Sequence, residues 1–508
     1  MLEELDEPGE WYLDRATGTL YFWPPAPLSQ GEVWVSLLEQ PLVRLRGAAY
    51  IELVGLELAV TRGHAVEIIG GSRNSVLGCV IRNIGNTGVR IEGGEYHLVE
   101  SCDISETGDG GIILSGGDRK TLRPSNHAAR NNHLHHFSRW VRTYRPAVQL
   151  SGVGNFVQRN LIHDAPHTAI LLSGNEHVID GNDIHSVTLE TGDVGAFYMG
   201  RDWTARGNLI RHNLFHNLGN DDTNGVYLDD CASGARVIGN LFFRAAREVH
   251  VGGGRDNLIE NNLFIDPRPA AVKFDARATG WAKGMIEGPE PTLVNRLKAV
   301  PYQEPPWSES YPELLTLLAD EPALPKGNVV RRNVFYLGQP FQFMDNTERL
   351  IAIYDNLTGV DPGFLDFQRN DFRLREDSPA YALGFEPLPW ERMGLWEDEF
   401  RGALPAPPVV HHRLEVVTPP AGGAPGSLKL VVENLGRVRA EGEVEVWTAP
   451  LENGEAAPCP KMSFALAPGE GFSCVFPVRL AAGANDITVG AVLKGSDLVP
   501  IGTLVRGR

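Results

Sequence analysis

The stretch Asn208-Leu-Ile-Arg-His-Asn-Leu-Phe-His216 contains a pattern that recurs along the chain: two asparagines five positions apart, the second followed by two apolar residues. Further copies begin at Asn155, Asn257 and Asn328. Repetition of one phrase at this spacing indicates a stack of similar structural units. The second position of the pattern advances in steps of 22 to 31 residues and falls on Cys79, Cys102, Asn132, Asn160, Asn182, Asn213, Asn240 and Asn262.

Each repeat contains short segments with alternating apolar residues, such as Val89-Arg-Ile-Glu92 and Val148-Gln-Leu-Ser151, that end at Gly, Ser or Asn. Long amphipathic stretches of helical period are missing from these repeats, which argues against a helical solenoid. Coils of about 22 residues built from such segments favour a right-handed parallel β-helix. The repeated Asn suits a tight turn and can hydrogen-bond to the equivalent Asn one coil away, so we interpret this ladder as structural.

The predicted fold class is therefore all-β, a β-helix followed by a small antiparallel β-sandwich. Residues 1–36 contain an aromatic hairpin that we expect to cap the coils, and residues 37–402 form the β-helix. A Pro-rich break at 276–326 is predicted to be a large loop. Residues 403–410 form a Pro-rich linker, and residues 411–508 alternate with the period of a β-sandwich.

Composition excludes several classes of function. Among the 508 residues, 64 acids exceed 46 bases and give a net charge of −18, which argues against a nucleic-acid partner. No apolar stretch is long enough for a membrane helix. The five cysteines lack CxxC spacing, so we expect no thiolate metal site and no cofactor. The acidic N-terminus shows no signal peptide, which predicts a cytoplasmic protein, or an extracellular or periplasmic one if a leader has been removed.

Aligning the strands of successive coils predicts columns of outward-facing side chains about 4.8 Å apart. One predicted column changes from apolar to aromatic and charged residues in the central coils and reads Ile113, Gln149, Leu171, Tyr198, Tyr227, His250 and Lys273. A second column, two positions further along each strand, changes from serine to acids and reads Ser115, Ser151, Ser173, Gly200, Asp229, Gly252 and Asp275.

Acidic residues cluster beside these columns, and aromatic rings beside carboxylates suit sugar recognition. Two carboxylates are also what glycosidic cleavage needs, one as proton donor and one as nucleophile or base. The candidate catalytic residues are Asp193, Asp229 and Asp230. The candidate substrate-binding residues are Tyr198, Tyr227, His250, Arg201, Asp202, Lys273, Glu190 and Asp275. We expect Gly195 and Gly200 to leave room for a ligand.

Structural roles remain open for several of these residues. Asp230 could cap the turn into Cys231, and alternation places it on the other face from Asp229. Arg201 and Asp202 could form a local ion pair. His133, His135 and His136 could bind a metal or be solvated turn histidines, and we favour the latter. We interpret His163, His185 and His216, which follow the ladder Asn, as parts of the repeat.

The segment from Asp193 to Asn208, followed by Gly225-Val-Tyr-Leu-Asp-Asp-Cys-Ala-Ser-Gly234, resembles glycoside hydrolase family 141, whose members include α-L-fucosidases and xylanases. The resemblance extends from about Glu10 to Leu388 and includes the Glu10-Trp-Tyr-Leu-Asp14 phrase. It implies that two aspartates one coil apart are catalytic; they map onto Asp193 and Asp229, with Asp230 as the alternative for the second.

The sequence thus predicts a glycoside hydrolase acting on plant-type or similar heteropolysaccharides, such as an α-L-fucoside or xylan-like substrate. A polysaccharide lyase is a second possibility, with Lys273, Arg201 and His250 as the basic residues, although the acidic balance argues against it. A glycan-binding or structural β-helix protein without activity is the third.

Overall fold

The computed structural model describes residues 2–5, 8–219, 222–407, 409–418, 426–436, 438–448, 461–478, 486–494 and 501–506. Most of the described chain winds into a right-handed parallel β-helix, as the repeat predicts. Three parallel sheets run the length of the coils, and each strand pairs with the equivalent strand of the coils before and after it. No helix in these ranges is long and apolar enough to span a membrane.

Sheet 1 has eleven strands: Val43–Arg46, Val66–Ile69, Val89–Glu92, Ile112–Gly116, Val148–Gly152, Ile170–Leu172, Val194–Gly200, Thr223–Asp229, Arg247–Gly252, Ala270–Asp275 and Gln339–Phe343. Sheet 2 also has eleven: Glu52–Val54, Ser75–Leu77, Leu98–Glu100, Ala128–Arg130, Phe156–Gln158, Val178–Asp180, Leu209–Arg211, Arg236–Ile238, Leu258–Glu260, Val329–Arg331 and Ala352–Tyr354. Sheet 3 has ten: Glu57–Thr61, Val80–Ile84, Asp103–Thr107, His133–His135, Leu161–His163, Asp183–His185, Leu214–His216, Leu241–Phe243, Leu263–Ile265 and Val334–Tyr336.

The interior is one continuous apolar core, because the inward side chains of every coil stack on those of the next. Phe215, Phe242 and Phe264 illustrate the stacking, with ring centroids 5.1 and 5.0 Å apart in successive coils. A single coil cannot bury these rings by itself. Stacking the coils removes the rings from water, and this burial supplies most of the stabilisation.

The predicted asparagine ladder is present at the turn between sheets 2 and 3. The backbone N–H of Asn160 donates to Oδ1 of Asn182 (3.0 Å), and Nδ2 of Asn182 donates to the carbonyl of Val157 (3.0 Å). The same contacts recur from Asn132 to Asn356. Each buried amide thereby satisfies backbone groups of two coils, which confirms its structural interpretation.

A second ladder, at the turn between sheets 1 and 2, mixes Asn with His. The N–H of Asn155 donates to Nδ1 of His177 (3.0 Å), and the N–H of His177 donates to Oδ1 of Asn208 (3.0 Å). His97 and His127 accept backbone N–H groups in the same way. Burial lowers the pKa of His177 to about 4. These rings are therefore neutral at physiological pH.

Between Asp275 and Val329 the chain leaves the coils, as the Pro-rich break predicts. This excursion contains helices Gly284–Glu287, Thr292–Lys298 and Trp307–Ser310 and 3-10 turns Arg277–Thr279, Trp281–Lys283, Pro312–Leu315 and Leu317–Ala319. Leu293, Leu297 and Trp307 pack against Trp203 and Cys231, which lie just beyond the ends of two sheet 1 strands. The excursion therefore covers that edge of sheet 1.

After the last coil, residues 385–401 run back along the outside of the solenoid as a strap. Leu388 packs against Leu241 and Leu263, and the N–H of Gly394 donates to the carbonyl of Gly181 (2.7 Å). Further along, Asp398 accepts from Asn131 (2.9 Å) and Arg401 donates to Asp103 (2.9 Å). The strap thus ties late coils to early ones.

The remaining elements lie at the two ends of the chain. Trp11–Asp14 and Thr19–Phe22 form the N-terminal hairpin, in which no residue is buried. Phe364–Asp366 pairs with Asp371–Leu374, and Pro379–Ala382 is a short helix. At the C-terminus, Val410–Thr418, Gly426–Asn434 and Gly471–Val478 form one antiparallel sheet, and Lys461–Leu466, Ala440–Thr448, Asp486–Lys494 and Ile501–Arg506 form another. The remaining 3-10 turns are Leu2–Glu4, Leu28–Gln30, Thr347–Leu350, Phe367–Arg369 and Trp390–Arg392.

Candidate active site

The first predicted column is confirmed by the strand register of sheet 1. Tyr198 pairs with Tyr227, Tyr227 with His250, and His250 with Lys273. The rings of Tyr198 and Tyr227 meet edge to face at 5.6 Å, and Tyr227 stacks on His250 at 4.6 Å. We call this row the floor column; its members are Ile113, Gln149, Leu171, Tyr198, Tyr227, His250 and Lys273.

Two aspartates are held by this column through crossed hydrogen bonds. Tyr198 donates its hydroxyl to Asp229 of the next coil (2.6 Å). Tyr227 donates its hydroxyl to Asp193 of the previous coil (3.0 Å). The carboxylates of Asp193 and Asp229 therefore lie on the same outer strip of sheet 1, beside the floor column, and we call this strip the groove. Asp193 is exposed, whereas Asp229 is 8% exposed.

One arginine of the excursion, Arg277, joins three carboxylates at the edge of the groove. Its Nε and Nη2 make a two-pronged contact with Asp275 (2.9 and 2.7 Å). Its Nη1 donates to Asp229 and to Asp230, the latter at 3.0 Å. We call Asp229, Asp230, Asp275 and Arg277 the carboxylate cluster. Sequence reasoning missed Arg277, although its place two residues after Asp275 was a usable signal.

Glycines make room for these side chains. A Cβ at Gly252 would lie 2.4 Å from Cζ of Arg277, so the guanidinium occupies the space of the absent side chain. A Cβ at Gly195 would lie 2.7 Å from Cβ of Tyr227. The expectation that Gly195 leaves room for a ligand is therefore wrong, because Tyr227 fills that space.

The pKa values of two carboxylates in the cluster, Asp229 and Asp275, are shifted in opposite directions. Burial raises the pKa of Asp229, against the hydrogen bond from Tyr198, which lowers it. Burial alone would also raise the pKa of Asp275, but hydrogen bonds from His250 and Arg277 hold it well below its usual range. Three carboxylates face two guanidiniums, of Arg277 and Arg201, so one negative charge is in excess. Burial thus favours the protonated form of Asp229, whereas Asp275 stays ionised.

His250 lies beside this cluster as a neutral group. Its Nε2 lies 3.1 Å from Asp275, and burial lowers its pKa to about 4. Burial raises the pKa values of Tyr198 and Tyr227, so both hydroxyls stay protonated and available as donors. Lys273, half-buried at the end of the column, has its pKa lowered by burial and by Arg247.

Strand alternation does not predict the position of Asp230 in the cluster or its contact with Arg201. Asp230 and Cys231 adopt left-handed backbone conformations (φ of 40° and 66°), which turns Asp230 toward the same guanidinium as Asp229. The prediction that Asp230 faces away from Asp229 is therefore wrong. Arg201 donates to Asp230 of the next coil (2.7 Å) rather than to Asp202.

Asp202 and Glu190 have other partners. Asp202 is buried, accepts from the backbone N–H of Thr204 (2.8 Å) and contacts Arg119 (3.4 Å), so the predicted Arg201–Asp202 ion pair is wrong. Its partners are not members of the carboxylate cluster. Glu190 accepts from Arg142 (2.8 Å) in the loop at residues 136–147. That loop also brings Tyr144 edge to face with Tyr198 at 6.4 Å.

The histidines on sheet 3 form a stack. His163 lies parallel to His135 and His185, with centroids 5.1 and 4.9 Å away, and His185 pairs with His216. The interpretation of His163, His185 and His216 as parts of the repeat is confirmed. The description of His133 and His135 as solvated turn residues is wrong, since both lie in a strand and pack on His163 in this row. Within the described ranges, no three His, Cys, Asp or Glu side chains converge to hold a metal ion.

The comparison with protein families agrees with the fold. A family model described as "Right handed beta helix region" matches residues 42–144 and 146–280. A solved structure titled "Glycoside hydrolase" is similar at 14% identity and a TM-score of 0.35, over 79% of this chain and 60% of that chain. This protein thus spans about 60% of that chain's length. Comparison with curated proteins gives no match. Fold and site together define a right-handed parallel β-helix protein with an acidic, tyrosine-lined groove on sheet 1.

Proposed function

We propose that this protein is a glycoside hydrolase whose carboxylate pair is Asp193 and Asp229. The observation that carries the proposal is the crossed pair of hydrogen bonds from Tyr198 to Asp229 and from Tyr227 to Asp193. It brings one exposed and one buried carboxylate to a single aromatic groove, and glycosidic cleavage uses two carboxyl groups in different protonation states.

The environments of the two aspartates assign their roles. Asp229, whose pKa burial raises, is the general acid that protonates the leaving oxygen. Asp193, exposed to solvent, is the base or nucleophile. Asp193, Tyr227, Arg277 and Asp229 are linked by three successive contacts, which limits the gap between the two carboxylates to roughly 9 Å. That limit includes both the retaining and the inverting separation, so the anomer first released, followed by NMR, assigns the stereochemistry.

The substrate-binding residues follow from the same groove. Tyr198 offers an aromatic face for a sugar ring, and Lys273 offers a polar group for hydroxyls. Tyr227 and His250, predicted as binding residues, are buried and instead contact Asp193 and Asp275. Arg201 and Glu190 border the groove, and Asp275 acts by holding Arg277. Asp202 is left out, since it bonds to Thr204. The family resemblance of residues 193–234 suggests an α-L-fucoside or xylan-like substrate.

A polysaccharide lyase is the second candidate, and Lys273 favours it. A half-buried lysine whose pKa is lowered by burial can abstract a proton beside a uronate. Hydrolysis is preferred, because the guanidinium of Arg277, the nearest cation to Asp229, is already matched by three carboxylates and is not free for a uronate.

The test is a screen of purified protein against aryl glycosides and neutral and uronate-containing polysaccharides. We expect new reducing ends without ultraviolet-absorbing unsaturated products. Unsaturated products would instead establish the lyase. Binding with no turnover of any substrate would contradict both and leave a glycan-binding protein.

A further inference from the structure

A cavity of about 420 Å³ lies on the outer face of sheet 1, in earlier coils than the carboxylate cluster. It is lined by groups that hydrogen-bond readily, including Asn86, Arg90, Asp109, Arg145, Gln149 and Ser151. The geometry points to a distal binding site for an uncharged stretch of an oligo- or polysaccharide, bound here while the cluster acts further along the same groove. This inference rests on the proposed glycoside hydrolase activity and adds a substrate class to it.

The strand register of sheet 1 places the cavity on the same row of side chains as the candidate active site. Gln149 belongs to the floor column and pairs with Leu171, which in turn pairs with Tyr198. Arg90 stands in the same row two coils before Gln149, through Ile113. The floor of the cavity therefore continues, strand by strand, into the floor of the candidate active site.

One loop borders both places. In the loop at residues 136–147, Arg145 and Pro146 line the cavity, whereas the neighbouring Tyr144 packs edge to face on Tyr198. The same Tyr144 ring lies 4.8 Å from His167. A chain molecule leaving the cavity toward later coils thus passes directly beside the aromatic wall of the active site.

Charge in the cavity favours neutral sugar. Arg145 pairs with Asp109 (3.3 Å), and Arg90 contacts both Glu92 and Glu67, the latter at 3.5 Å. Each guanidinium is therefore already neutralised, and a uronate would meet as many carboxylates as cations. Arranged in this way, amides, hydroxyls and paired charges suit the hydroxyl groups of an uncharged glycan.

The distance sets a length for the substrate. Four steps between neighbouring coils separate Arg90 from Tyr198, which amounts to roughly 19 Å along the sheet. One such step is close to the length that one sugar residue adds to an extended chain. A substrate that fills both places therefore carries about four sugar residues on one side of the cleaved bond. We therefore expect the activity to be faster on long chains than on single sugars.

The test compares chain lengths in the wild type and three variants. Gln149→Ala removes a polar group of the cavity, and Ser151→Trp fills it. Gln158→Ala is the matched control, because Gln158 is a glutamine of the same coil that faces outward from sheet 2. The probes are an aryl monoglycoside and oligosaccharides of two to eight residues, prepared from the neutral polysaccharide that the wild type hydrolyses in the screen.

We expect kcat/KM of the wild type to rise with chain length and then level off. Gln149→Ala and Ser151→Trp should lower it about tenfold on the longest oligosaccharide while leaving the aryl monoglycoside within about twofold, and Gln158→Ala should change neither. Activity on the monoglycoside also shows that a variant is folded. If Ser151→Trp has lost this activity, the result for Gln149→Ala alone tests the inference.

Two results would overturn the inference: a kcat/KM independent of chain length, or equal losses in Gln149→Ala and Gln158→Ala. The absence of wild-type turnover on every glycan would instead contradict the proposed function. The two failures are therefore distinguishable.

Discussion

At the scale of single residues, the most informative side chain is Arg277. It holds Asp229, Asp230 and Asp275 together while lying 7% exposed as a side chain. Its contacts with Asp275 raise its own pKa, against the effect of burial, so it stays charged. Removing one partner from a buried ionic cluster leaves the remaining charges uncompensated, which is far more costly than losing a surface ion pair.

Arg277→Ala is therefore expected to lower the free energy of unfolding by about 3–5 kcal/mol at pH 8, with a smaller loss at pH 5. Without the guanidinium, the three carboxylates repel one another and their pKa values rise. Protonation relieves this repulsion as the pH falls. Urea unfolding at the two pH values measures the difference. Arg277→Lys keeps the positive charge but cannot make the two-pronged contact, so its loss in free energy of unfolding should be smaller than that of Arg277→Ala. An equal loss at both pH values would contradict this account of the cluster.

Tyr198→Phe tests the hydrogen bond to Asp229. That bond lowers the pKa of Asp229, so its loss should raise the pKa further. A general acid works only while protonated, and the activity falls as the pH rises through its pKa. The alkaline limb of the kcat/KM profile should therefore move up by about one pH unit in the variant. A limb that stays in place or moves down would exclude Asp229 as the acid.

Most of these residues, but not their contacts, could be predicted from the sequence. Strand alternation within a regular repeat places Tyr198, Tyr227, His250 and Lys273 in one row, because coils of equal register stack side chain on side chain. The rule fails where the backbone leaves the β region, as it does at Asp230. It also gives no position for Arg277, which lies outside the repeat and is placed by tertiary packing of the excursion.

At the scale of elements, the two turn ladders differ in their response to acid. The Asn ladder carries no titratable group between Asn132 and Asn356, whereas the second ladder contains His97, His127 and His177. These imidazoles must be neutral, because Nδ1 accepts a backbone N–H. Burial lowers the pKa of His127 to about 3. The folded state therefore resists protonation at sites that the unfolded chain protonates near pH 6.5.

The His177→Asn substitution isolates this effect. A folded pKa of about 4, below the unfolded value, means that stability is complete above pH 6.5 and is lost as the pH falls toward 4. Asn occupies the neighbouring ladder positions 155 and 208 and can accept the same N–H. Between pH 7 and pH 4, the free energy of unfolding of the variant should fall by about 3 kcal/mol less than that of the wild type. Urea titrations at both pH values test this, and parallel losses would contradict it.

At the scale of the whole molecule, the strap formed by residues 385–401 joins coils that are distant in sequence. It contacts Gly181, Asn131 and Asp103 in turn as it runs toward the start of the solenoid. In a repeat protein each coil contacts only its neighbours, so unfolding can begin at an end. A strap across many coils opposes such fraying. The sequence repeat could not predict it, because the strap itself has no period.

Truncation separates the strap from the C-terminal sheets. A chain ending at residue 402 keeps every strap contact and should retain its Tm for the β-helix within a few degrees. A chain ending at residue 384 loses the burial of Phe385 and Leu388, worth about 2 kcal/mol each, together with the strap hydrogen bonds. Calorimetry should show a clearly lower Tm for the shorter chain only. Equal Tm values for the two chains would show that the strap is not stabilising.

The central claim is that two aspartates from successive coils act on one glycosidic bond. The most direct measurement is the rate of reducing-sugar release by Asp193→Asn and Asp229→Asn, with Asp183→Asn as a control on sheet 3 and matched Tm values as evidence of folding. We expect each of the first two substitutions to lower kcat by at least about a thousandfold and the control to remain near the wild type. Wild-type rates in a folded Asp193→Asn or Asp229→Asn protein would contradict the claim.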